Sequence, residues 1–152
     1  MASEMNSVSN TLQMALINDF KSFFRKPDLA SLDTLERIYT QDIEFHDPLH
    51  ALHGRLAVKN YLRGLYAGTP DISFNYLEEQ IGENSATIVW NMGFCHPRLS
   101  GGKPLQLRGV TLIRFTEKIY YQEDFYDLGA MLYQHIPVLG TAVRFVNNRL
   151  TA

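Results

Sequence analysis

The segment Ile119-Tyr-Tyr-Gln-Glu-Asp-Phe-Tyr-Asp127 sets three carboxylates, Glu123, Asp124 and Asp127, into a run of aromatic residues. Strand alternation separates them: Asp124 falls with Tyr120, Gln122 and Tyr126, and Glu123 with Tyr121 and Phe125. A carboxyl group facing a partly apolar interior among phenols and an amide loses hydration. Its pKa then rises, and it becomes a useful proton acceptor near neutral pH. The competing reading is a buried acid satisfied by Arg108, Arg114 or a backbone amide. Glu123 is expected on the outer face, and Asp127 as the N-cap of a helix that carries Leu128.

A second acid, Asp47, stands in Phe45-His46-Asp47-Pro48. Asp before Pro commonly initiates a turn, which gives Asp47 a purely local alternative. Should Asp47 and Asp124 share one cavity, one of them would hold its proton, supplying an acid and a base from identical side chains. Asp124 and Asp47 are therefore the candidate catalytic pair. His46 or His50 could shuttle protons at the cavity mouth, and Asn91 can donate and accept without releasing a proton. His46, His50 and His53 would align on a helix, but Pro48 and Gly54 make this stretch a loop, so no metal site is expected. Phe45, Tyr61, Trp90 and Tyr126 are expected to form the wall, with His46 and Asn91 as polar ligand contacts.

Elements must position these residues. Leu12, Leu16, Phe20, Phe23 and Phe24 recur at helical spacing up to Pro27, and a shorter helix after Asp28 would bury Leu32, Leu35, Ile38 and Tyr39. Residues 43 to 54 read as a brief strand entering a loop, and Val58, Tyr61, Leu62 and Leu65 restore a helix that ends at Gly68-Thr69-Pro70. Strands follow over 72–81, 86–96, 105–115 and 119–126, with connections short enough for an antiparallel meander. A helix from Asp127 to before Pro137 and a last apolar-spaced segment close the chain. In 86–96 both strand faces carry apolar or small residues, which predicts a homodimer through the outer sheet face.

The 152 residues, 45% of them apolar, suit one α+β domain over 11–152 behind a flexible N-terminus at 1–10. Fourteen basic residues against 16 acidic ones, scattered along the chain, exclude a nucleic-acid or membrane-surface role. One cysteine, Cys95, rules out an internal disulfide, and no secretory signal or apolar span stands out, so a cytoplasmic setting is expected. No glycine-rich nucleotide loop, nucleophile elbow or paired-cysteine motif occurs, and no cofactor is expected.

The order of elements, Phe45-His46-Asp47-Pro48, the helix after Gly54 and Lys118-Ile119 followed by Phe125-Tyr126-Asp127 together resemble the nuclear transport factor 2-like superfamily. More narrowly they resemble its SnoaL-like branch, over nearly all the chain from about residue 11. The resemblance implies a cone of N-terminal helices packed on a curved antiparallel sheet around a pocket. It does not fix a function, because the superfamily holds enzymes, binders and transport modules. Asp47-Pro48 is similar to the base of ketosteroid isomerases, whose oxyanion-hole positions carry Phe23 and Thr111 here, which makes Thr111 a candidate ligand contact. Gly109-Val110, Lys118-Ile119 and Glu123 to Leu128 resemble limonene epoxide hydrolases, whose water-activating base matches Asp124; their Arg-x-Asp pair falls on Val89 and Asn91. The expectation is a pocket for a small, largely apolar organic molecule, with cofactor-independent isomerase, cyclase or hydratase chemistry at a buried Asp. The alternatives are a ligand-binding or sensory protein and a protein-interaction module.

Overall fold

A computed structural model describes residues 2–131 and 137–150. Helix α1 spans Ala2–Arg25 and so includes the polar opening expected to be flexible. Its second half carries the apolar anchor: Leu16, Ile17, Phe20, Phe23 and Phe24 are buried, whereas Leu12, expected on the same stripe, is 66% exposed. Asp28 caps the following 3-10 turn (Leu29–Thr34) by accepting from the Ser31 amide at 2.8 Å. A short α2 (Leu35–Ile38) leads into β1 (Tyr39–His46). A turn at 47–50 then returns the chain as β2 (Ala51–His53), antiparallel to β1, in the stretch expected to be loop.

Gly54, at φ 93°, opens α3 (Arg55–Gly68) in a backbone conformation that suits glycine, and its amide donates to the Ile43 carbonyl at 2.8 Å. Four strands follow, β3 (Ser73–Ile81), β4 (Ser85–Phe94), β5 (Leu105–Phe115) and β6 (Ile119–Tyr126), paired antiparallel as the short connections imply. The sheet order is β2-β1-β6-β5-β4-β3. β1 runs parallel to β6, so the sheet is mixed rather than wholly antiparallel. That pairing joins strands separated by α3 and the whole meander, a long connection of the kind parallel neighbours require.

The sheet is open, and α1, α2 and α3 pack on its inner face, where Ile88, Ile113, Phe115 and Ile119 are fully buried with Ile17, Leu35 and Val58 from the helices. Burying each such side chain contributes about 1.5–3 kcal/mol. Asp127 caps α4 (Leu128–Met131) through the Ala130 amide at 3.1 Å, as expected. The rest of the helix predicted to end before Pro137 lies outside the described residues. A last helix, α5, spans Pro137–Leu150. No helix among the described residues is long and apolar enough to cross a membrane.

Candidate functional site

Between α3 and the inner face of the sheet lies a cavity of about 380 Å³. Its wall is aromatic and aliphatic, with Phe24, Phe45, Tyr61, Tyr66, Phe74, Trp90, Met92 and Tyr126 among the lining residues. Its polar groups are few: Asp47, His50, Thr69, His96 and Asp124, besides the tyrosine hydroxyls. A mostly apolar hollow of this size with a small number of polar groups is the ordinary form of a small-molecule site.

Asp124 reaches this hollow because β6 alternates, with Gln122, Asp124 and Tyr126 turned inward. Two neutral donors hold its carboxylate. Thr111, its direct partner on β5, donates through Oγ1 to Oδ1 at 2.6 Å, and Gln122 Nε2 donates at 3.2 Å. Each donor is itself fixed from behind. Trp90 Nε1 donates to Thr111 Oγ1 at 2.8 Å, and the Tyr39 hydroxyl donates to Gln122 Oε1 in a fully buried contact. Burial drives the Asp124 carboxyl up to about 6 from 3.8, the Thr111 and Gln122 hydrogen bonds pull the other way, and the nearby charge of Asp47 adds to the rise. A carboxyl with that affinity can both accept and return a proton near neutral pH.

The arginines considered as partners are elsewhere. Arg108 lies 4.0 Å from Glu78 and Arg114 stacks over Tyr121, both on the outer face. The phenols of the wall, and Tyr39 behind it, stay protonated. Burial pushes Tyr39, Tyr61, Tyr66 and Tyr126 upward, and the charge of Asp124 adds to each, together with that of Asp47 for Tyr61 and Tyr126.

Trp90 lies flat over Gly109, its register partner on β5. A Cβ built there would stand 2.2 Å from the indole, so the glycine is what admits the ring that orients Thr111.

Asp47 also lines the cavity, but its carboxylate is already engaged. Oδ1 accepts from the amides of Leu49 (2.8 Å) and His50 (2.7 Å), as an Asx turn before Pro48 requires. Oδ2 accepts from the Tyr61 hydroxyl at 3.1 Å, and the His50 Nδ1 stands 3.0 and 3.1 Å from the two oxygens.

Of the residues singled out in the sequence for the site, Phe45, Asp47, His50, Tyr61, Trp90, Asp124 and Tyr126 line the cavity. Three do not. His46 alternates with Phe45 and lies on the outer face, its ring 5.6 Å from Tyr121 and its Nε2 3.9 Å from Glu44. Asn91 alternates with Trp90 and Met92 and pairs with Asn75 and Arg108 on that same outer face. Thr111 sits behind the wall, acting on Asp124 rather than on a ligand. Sequence reasoning missed Gln122 and Tyr39 as supports, and it ranked His46 above His50. The Asp47-Pro48-x-His50 spacing was the available signal, since an Asx turn folds the residue three positions on back toward the carboxylate.

The fold recurs in solved structures. A protein from Jannaschia sp. CCS1 assigned to the SnoaL-like polyketide cyclases superposes with a TM-score of 0.72 at 14% identity, over 84% of this chain and 93% of that one. A Catenulispora acidiphila protein with a ketosteroid isomerase-like fold, solved with trimethylamine, gives 0.67 at 17% identity over 79% and 91%. TerC, co-crystallised with polyporic acid, gives 0.66 at 16% identity over 79% and 95%. These identities establish fold alone. No curated protein sequence matches the chain. The SnoaL-like domain model matches residues 20–121, which takes in α3, β1 to β5 and Thr111 and stops just short of Gln122 and Asp124, and the chain therefore belongs to the SnoaL-like domain family.

Proposed function

We propose that the protein binds a small, largely apolar organic molecule in this cavity and moves a proton on it with Asp124, without a cofactor, in an isomerisation, cyclisation or hydration. The observation that carries this reading is a carboxyl raised to about 6 inside an aromatic cavity and held by two neutral donors, with no cation in contact among the described residues. A purely structural acid is usually neutralised by a cation, whereas this arrangement preserves proton affinity and aims it at empty volume. TerC, which shares the fold, was co-crystallised with an organic molecule, polyporic acid, and the Jannaschia protein of the same fold is assigned as a cyclase, both in keeping with this reading.

In the step proposed, the Asp124 carboxylate takes a proton from a carbon next to a carbonyl. The C–H bond breaks, its electrons pass to the enolate, and the protonated carboxyl returns the proton to another position. Proton exchange reads this directly. Cyclic ketones small enough for the cavity, such as 2-tetralone, are incubated in D₂O and their α-protons followed by ¹H NMR. Exchange should run at least about 100-fold faster with the wild-type protein than with Asp124→Asn. Equal rates across the ketone panel would leave a binding protein without turnover.

We also infer that a second copy covers the outer sheet face, as the alternation in β4 suggests. Val89, Val110 and Phe125 stand side by side there by register, with Phe125 49% exposed.

A further inference from the structure

The arrangement at Asp47 gives the cavity a second group able to move a proton. Within one turn the chain forms a carboxylate and an imidazole in contact: Asp47 is 3% exposed at its side chain, and His50 Nδ1 lies 3.0 Å from Oδ1 and 3.1 Å from Oδ2. The His50 ring lies against Tyr61 of α3 with centroids 4.5 Å apart, and the Tyr61 hydroxyl closes on the same carboxylate. The ring is thereby fixed on two sides, and it lines the cavity in which Asp124 also stands. A carboxylate on Nδ1 selects the tautomer with the proton there and leaves the lone pair on Nε2, which has no hydrogen-bond partner among the described residues. Asp47, Tyr61, His96, Asp124 and Tyr126 are the titratable groups that share this part of the wall.

We propose that His50 is a second proton-transfer residue of the cavity, positioned by Asp47, and that its Nε2 accepts the proton of an acidic hydroxyl, phenol or enol, on the bound molecule. The O–H bond breaks, an N–H bond forms at Nε2, and the oxygen keeps the electron pair. The imidazolium produced is stabilised by the Asp47 carboxylate across Nδ1–H. Asp47, fully occupied by donors, serves as a positioning residue and not as the base. The proposal rests on the reading of the hollow as a small-molecule site and adds to it the oxygen functional group that the ligand carries. With Asp124 acting at carbon and His50 at oxygen, ketonisation of a bound enol balances: Nε2 takes the O–H proton as the protonated Asp124 carboxyl delivers one to carbon, and enolisation is the same exchange in reverse.

The test uses 4-nitrophenol, whose phenolate absorbs in the visible and whose neutral form does not. Binding is followed by quenching of Trp90, the one tryptophan in the chain and part of the cavity wall. At a pH about one unit below the free phenol's own pKa, the phenol bound to wild-type protein should be mainly phenolate, a shift of about 100-fold in the ratio of the two forms. His50→Asn keeps an N–H for Asp47 but removes Nε2, so it should bind the phenol and leave it protonated. Asp47→Asn should lower the phenolate fraction although the histidine remains. Asp124→Asn should retain the phenolate, which separates this proposal from the carbon-acid reading: loss of ketone exchange in Asp124→Asn with the phenolate intact leaves both standing. His50→Gln replaces His50→Asn if the latter does not reproduce the wild-type Trp90 emission. The proposal is overturned if the bound phenol stays neutral in wild type, if the His50 variants keep the phenolate band, if Asp124→Asn alone abolishes it, or if 4-nitrophenol gives no saturable quenching.

Discussion

Thr111 shows how the Asp124 carboxyl is tuned, because one hydroxyl both accepts from Trp90 and donates to the acid. Thr111→Val removes a donor that lowers the Asp124 pKa and leaves the buried indole N–H without an acceptor. Asp124 should then titrate above its wild-type midpoint in a carboxyl NMR titration, and denaturant unfolding should show a loss of about 1–3 kcal/mol. The acid itself makes stability depend on pH. Its folded value of about 6 exceeds 3.8, so between these pH values the folded state keeps a proton that the unfolded chain has released. Ionising this group therefore removes stability as pH rises from about 4 through about 6, by about 3 kcal/mol when complete. Asp124→Asn cannot titrate, and its stability relative to wild type should rise by that amount between pH 4 and pH 7 in urea unfolding; a constant difference would contradict the shift. At this scale strand alternation was the most legible signal, since it grouped Asp124 with Gln122 and Tyr126. The same rule, applied to Phe45 against His46 and to Trp90 against Asn91, separates the outer-facing residues from the cavity. The support of Asp124 by Tyr39, Trp90 and Thr111 was not legible, because it joins β1, β4, β5 and β6 at separations no local pattern encodes.

Among the elements, β5 carries the tightest requirement. Gly109 faces the Trp90 indole so closely that any side chain must displace it. Gly109→Ala should cost about 1–3 kcal/mol by overpacking and should shift Trp90 emission as the indole leaves Thr111. Unchanged emission would show that the ring is not held there. The bounds of β5 and β6 follow from their runs of alternating and β-branched residues, and α3 from its glycine start and Gly-Thr-Pro stop. Two features escape such reading. β2 has three residues, too few to show a period, and the parallel β1–β6 pair depends on contact between segments far apart in the chain. The exposure of Leu12 was also illegible, since helical spacing does not reveal whether anything lies opposite it.

For the whole molecule, α1, α2 and α3 cover one face of an open sheet, and the second copy inferred for the other face predicts a dimer in sedimentation velocity. Val110→Glu, which places a charge in the middle of the Val89, Val110 and Phe125 strip, should yield a monomer whose Trp90 emission is unchanged, because the cavity lies on the opposite face. A wild-type monomer would remove the second copy and leave the cavity untouched. The α+β architecture was legible from the succession of helical and alternating periods, and the enclosed hollow from the resemblance more than from any pattern. The proposed chemistry depends on the proton affinity created at position 124 when helices and sheet close around it. A ¹³C NMR titration of the Asp124 carboxyl in the folded wild-type protein measures that affinity directly: a midpoint of about 6 is expected, and a midpoint of about 4, the value of a hydrated aspartate, would contradict it.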